Sequence, residues 1–214
     1  MTTFETMEPV TVTVDMLSGN VTVIATDRTD TVVEVRPADA SKKADIRAAE
    51  HTLVDFAAGT LTVQTPKDWR TYTPFGGNPS IEVVIEVPVG SRLRATAGVG
   101  RVLSTGELGD CDVEISAGDI VLDRTRGVVT AKAAMGDIRI AEASRGVLRL
   151  ETAKGELEVG IHPGSAARLE TNATAGAVQN LMAPADSARD EADIVQVYAR
   201  NSYGNIIIRH AVAA

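Results

Sequence analysis

The chain has 214 residues, 44% of them apolar and 23% charged, with a formal net charge of −8. That composition is that of a globular rather than a disordered chain, and the acidic balance argues against nucleic acid or an anionic bilayer as partner. Aromatic residues make up only 3%, so the interior must be packed from Val, Ile, Leu and Ala.

The first segments, "PVTVTVD" (9–15), "NVTVIATD" (20–27) and "TVVEVRP" (31–37), alternate apolar and polar residues and predict strands. "LSGN" between the first two reads as a turn. "SKKADIRAAEH" (41–51) predicts one short helix, with Ser41 as N-cap and Ala44, Ile46 and Ala49 as the side that packs on a sheet edge. "TLVDFA" and "TLTVQT" return to strand on either side of Gly59. Residues 66–80 form a loop by their Pro, Gly and Asn content, and 81–88 a strand. A repeat region runs from Ser91 to about Asn180. A polar loop (183–193) and two closing strands, "IVQVYAR" and "NIIIRH", follow.

The repeat is aligned on Gly100, Gly118, Gly136, Gly155 and, less well, Gly176. Counting back three, five and seven residues from the first four glycines gives small or apolar residues with one exception, Thr152. The positions between them, such as Arg94, Asp112, Thr130 and Arg149, are polar. Two and four residues after each glycine the residues are again apolar, Ser104 excepted. Each unit is therefore a half-buried strand, a glycine turn, a second half-buried strand and a second turn. A period near 18 with two strands per unit predicts a single-stranded β-solenoid of ~18–20-residue coils, right-handed by analogy with parallel crossovers. In such a stack Ile138→Asp is expected to be ruinous and Arg139→Asp mild. Glu114, Lys132 and Glu151 fall in one outward column of alternating sign, which opposes register slip. Residues 1–90 read as a β-rich part with the helix, 91–182 as the coils and 183–214 as closing strands, together one structural domain.

The run "SGNVTV", "VVEVRPAD", the charged helical insert, "GTLTVQTPK", "SIEVVIEVPVGSRL" and the serial "AxxGDIxI" units resembles the bacterial putative-adhesin family, also called Toastrack-like domains. The resemblance implies a β-solenoid, an occurrence beside cell-envelope stress systems, and no catalytic residues. It also implies a surface location. This N-terminus, by contrast, has neither the basic nor the apolar region of a signal peptide. With a single cysteine and no run long enough to span a bilayer, the chain is expected to be cytoplasmic.

Candidate chemistry is sparse. His51, His162 and His210 lie in separate segments without metal-ligand spacing, and Cys111 falls in an inward column. Asp119, Asp137 and Glu156 follow successive repeat glycines and should stack along one edge. That edge is the basis of an alternative reading as a carbohydrate-binding or carbohydrate-active solenoid. Trp69, Tyr72 and Phe75 crowd into loop 66–80 and are three of the chain's seven aromatics (one Trp, three Tyr, three Phe). They form either a plug over an open end of the stack or a partner-binding patch. The expectation is a non-enzymatic interaction or scaffold module that binds a protein partner or itself, with no cofactor, no metal, no nucleic acid and no membrane insertion.

Overall fold

The structure is a computed structural model that describes residues 1–66, 79–182 and 194–211. It is all-β: seventeen strands in one hydrogen-bonded network and a single helix among the described residues. The inward/outward assignment of the repeat is reproduced. All twelve positions counted back from the first four glycines are buried, including Thr152. So are Val102, Ile120, Leu122, Ile138, Ile140, Leu157, Val159 and Ser104 after them.

The repeat units lie on one another as parallel layers. β9 (Cys111–Ala117) sits between β7 (Arg92–Thr105) and β11 (Val129–Met135), with Val113 opposite both Ala95 and Ala131. β10 (Ile120–Arg126) pairs with the start of β12 (Ile138–Lys154), Ile120 on Ile138. The far half of β12 lies on β11, Leu148 on Val129, and its near half on β13 (Leu157–Ile161). Equivalent residues thus meet across an 18- or 19-residue step. Each buried aliphatic side chain contributes roughly 1.5–3 kcal/mol, and parallel pairing satisfies the backbone on both faces of a layer.

Chain order fails at both ends of the stack. β2 (Thr11–Thr26) lies directly on β7, and the layer beyond it is built from the later strands β5 (Thr60–Gln64) and β6 (Ile81–Pro88). At the other end β16 (Ile194–Tyr203) and β17 (Ile206–His210) lie on β12 and β13. The earlier β14 (Ala166–Ala175) and β15 (Val178–Asn180) form the outermost layer. This explains why Gly176 aligned poorly: its neighbour in space is Gly204, not Gly155. "LSGN" is not a reversing turn either. It is a corner inside the unbroken β2, bent at Gly19 (φ 139°), and both arms continue in parallel along β7.

Among the described residues, only the N-terminal end is closed by other elements. β3 (Asp30–Pro37) runs antiparallel to β6, and β1 (Thr2–Glu5) antiparallel to β3. β4 (Leu53–Ala57) covers β5 as a hairpin through Ala58 and Gly59 (φ 48° and 74°). Phe4 of β1 stacks on Phe56 of β4, with centroids 5.1 Å apart, and both pack on the core. Helix α1 (Lys43–His51) contacts β3 and β6. Its N-cap is Lys42, without a side-chain cap; Ser41 instead donates its hydroxyl to Asp39. Of the side predicted to pack, Ala49 lies on the core and Ile46 is half-buried, but Ala44 is exposed, and the one fully buried residue of the helix is Asp45, 4% exposed.

Asp45 accepts hydrogen bonds from the backbone N–H of Ser80 (3.1 Å) and of Asp39 (3.2 Å), and so ties the first turn of α1 to the segment that leaves β3 and to the entry of β6. Asp45→Ala leaves two N–H groups without this acceptor and is expected to cost about 2–4 kcal/mol. Asp45→Asn, which keeps one acceptor oxygen, should cost clearly less. Urea unfolding of the two variants checks this; equal losses would refute the role.

Glu158 staples three successive layers. It accepts from Arg209 (2.8 Å) and pairs with Arg139 (2.5 Å). The pair makes Arg139→Asp a charge clash rather than a mild change. Burial pushes the Glu158 pKa up, but the hydrogen bond from Arg209 and the Arg139 guanidinium hold it below the usual carboxylate range. A depressed folded-state pKa stabilises fully above the unfolded value, about 4.3, and that stability is lost as pH falls through the folded value. Glu158→Gln is therefore expected to cost about 1–2 kcal/mol at neutral pH. Its deficit relative to wild type should shrink below about pH 4, as read from denaturation midpoints across pH.

Candidate interaction face

The outward residues of the first strand in each layer form columns on one face of the stack. One runs Thr96, Glu114, Lys132, Glu151, Arg200, Asn172. The alternation of sign read from the repeat is present, and Arg200, from the displaced β16, extends it. The neighbouring column runs Arg94, Asp112, Thr130, Arg149, Tyr198, Glu170. In it the Arg149 guanidinium lies 5.6 Å from the centre of the Tyr198 ring, a cation–π contact between layers. Beside these columns the residues shrink to Ser116, Ala134, Ala153, Ser202 and Thr174. The drop in side-chain height leaves a shallow open groove of about 490 Å³ along the stack. Its floor is small and its rim is Glu114, Lys132, Glu151 and Arg200. Such a groove can take an extended segment: the rim offers paired donors and acceptors at layer spacing, and the floor admits close approach.

The Asp119, Asp137 and Glu156 edge does stack as expected, and its oxygens are turned along the stack. Asp119 Oδ1 accepts from the N–H of Asp137 (3.2 Å), and Asp137 Oδ1 from the N–H of Glu156 (2.8 Å). Glu156 accepts from Asn205 Nδ2 (3.0 Å), and Asp119 Oδ2 from Arg101 (3.0 Å). Asn20 and Asn205 make the same bond, to the N–H groups of Arg101 and Ala177. Asn20, Asp119, Asp137 and Asn205 thus each close a glycine corner with a side-chain acceptor, the usual work of Asp and Asn in turns.

Cys111 lies inward, 3% exposed, and burial, with the nearby Asp110 charge, pushes its thiol up to about 12; the nucleophilic thiolate is suppressed at neutral pH. The histidines stay apart. His51 bonds to the Arg47 carbonyl within α1 (2.8 Å), and His162 lies 3.9 Å from Glu142. Among the described residues no group of three or more His, Cys, Asp or Glu side chains is placed to hold a metal. No described helix is long and apolar enough to cross a membrane. Trp69, Tyr72 and Phe75 lie outside the described residues. A separate aromatic pair, Phe4 on Phe56, lies at the N-terminal end of the stack; the isolated positions of these two residues in short strands carried no signal.

No family model and no curated protein matches the chain. Solved structures do. The chain is similar to a "putative cell adhesion protein" from Clostridium sporogenes over 98% of both chains, with a TM-score of 0.52 at 11% identity. It is also similar to a "putative adhesin" from Bacteroides fragilis over 97% of this chain and 95% of that one, with a TM-score of 0.47 at 13% identity. At such identities the likeness is one of fold: over nearly its whole length this chain is built like the Clostridium protein.

Proposed function

We propose that this chain is a non-enzymatic, adhesin-like protein-interaction module, built as one structural domain on a right-handed β-solenoid. The described residues of 1–90, 91–182 and 183–214 all contribute layers or closure to the same stack, which supports reading them as one domain. The observation that carries the reading is the groove, a small-residue floor flanked by a ladder of alternating charge. That is a surface for recognising an extended polypeptide rather than for converting a small molecule. The Clostridium protein's name and shared fold agree with it. Trp69, Tyr72 and Phe75 are proposed as partner contacts. Phe4 and Phe56 already supply an aromatic closure, which favours the partner reading of that loop over the plug. A cytoplasmic location belongs to this reading, since the fold needs no disulfide and its one cysteine is buried.

The test is affinity capture from the native organism, analysed by mass spectrometry, with wild type beside two variants. One is Ala134→Arg/Ala153→Arg in the groove; the other is Trp69→Ser/Tyr72→Ser/Phe75→Ser. A specific protein retained by wild type and lost in a variant that melts normally is the expected result. Equal retention by all three would overturn the assignment of these surfaces.

A further inference from the structure

We infer that the outer edge of β14 is the docking surface for a second copy of this chain, joined antiparallel about a two-fold axis at Leu169. The inference rests on the reading of the protein as an interaction module.

The two ends of the stack differ in a way that burial records. In the outer layer of the N-terminal end, Leu61, Ile81 and Ile85 are fully buried, because β1, β3, β4 and α1 close over them. In the outer layer of the other end the same inward column opens to solvent. Ile206 and Ile208 are fully buried one layer in, whereas Val178, which lies on Ile206, is 46% exposed, and Leu181 just beyond is 62% exposed. β14 pairs with β16 on one side, and among the described residues nothing pairs with the other. A ten-residue edge without charge at its inward positions is the kind that natural sheets pair or cover. The edges left at the closed end, β1 and β4, are four and five residues long.

The sequence of β14 selects the occupant. Arg168 and Glu170 are exposed on one face, two residues apart, and neither makes an ion pair within the described chain. Antiparallel self-pairing centred on Leu169 sets Arg168 opposite Glu170 of the second copy, and Glu170 opposite its Arg168. Leu169 then meets its own counterpart. Opposed residues share a face in an antiparallel pair, so both ion pairs stay outside while Leu169, half-buried in one chain, joins the two interiors. Segment 183–193, the other candidate cover, has four carboxylates and no apolar side chain larger than proline, hence little to bury against Leu169. Head-to-tail growth would need a second open end, and the opposite end is closed. One long free edge per molecule therefore gives a closed dimer rather than a filament.

The experiment is size-exclusion chromatography with light scattering of the full chain over a concentration series, with melting curves as a check of folding. Wild type should approach the dimer mass. Glu170→Arg, which sets like charges opposite each other twice, should weaken dimerisation about tenfold or more. Arg168→Glu/Glu170→Arg swaps both signs and should restore it. A wild type that stays monomeric, a dimer indifferent to either variant, or open-ended oligomers would each overturn the proposal. A monomer that still captures its partner through the groove leaves the interaction-module reading standing. A charge-dependent dimer that captures nothing does the reverse.

Discussion

Gly118→Ala is expected to abolish the folded stack, with a loss of more than about 4 kcal/mol against a total stability of about 5–15. Two effects add. Gly118 has φ 128°, a conformation that an L-residue rarely adopts. A Cβ there would also stand 1.7 Å from the carbonyl oxygen of Gly100 in the layer beside it. That oxygen is backbone inside a parallel stack, so it cannot swing away as a side-chain tip could. The same contact recurs along the corner, from Gly100 onto Gly19 (1.6 Å) to Gly136 onto Gly118 (1.9 Å), so a shift at one layer disturbs the next. Gly59→Ala is the control. Its φ is 74°, but no atom lies within 4 Å of the added carbon, so only the backbone penalty of about 1–2 kcal/mol remains. Thermal unfolding of both variants measures the difference. Similar losses would mean that conformation alone, and not the close approach of layers, demands the glycine.

Ile138→Asp is expected to unfold the protein as well, again by more than about 4 kcal/mol. Ile138 is fully buried, between Ile120 on one side and Leu157 on the other, both fully buried themselves. A carboxylate placed there meets only aliphatic surface and has to be desolvated or protonated. Ala134→Asp, an equally polar change at an exposed groove position, should stay within about 0.5 kcal/mol. Circular dichroism and urea midpoints separate the two outcomes. A soluble, cooperatively folding Ile138→Asp variant would show that the inward column is not continuous.

Each result depends on a property that is local in sequence. Alternation with period two assigns Ile138 inward and Arg139 outward whatever the strand pairs with. A glycine recurring at 18 and 19 residues marks a corner where backbones approach. For that reason the all-β class, the strands around each repeat glycine, the buried columns, the stacked Asp119, Asp137 and Glu156, and the inert Cys111 could all be read from residues alone. Strand 81–88 and the two strands divided by Gly59 are equally legible, since Pro, Gly and alternation are short-range signals; that the latter two pair as an antiparallel hairpin is not.

What tertiary structure decided is which segments become neighbours when no repeat relates them. β2 and β16–β17 each slip one layer inside the ends of the stack, because a parallel edge accepts any strand of matching period. Periodicity is silent on which one arrives. The same freedom put Arg200 into the charge column beside Glu151, brought Phe4 onto Phe56, and turned Asp45 inward to two backbone N–H groups that no spacing rule connects to it. Burial pattern is a property of each strand and is written in its residues. Layer order, end closure and the faces that result are properties of pairs of distant strands, set by whichever arrangement covers the most apolar edge.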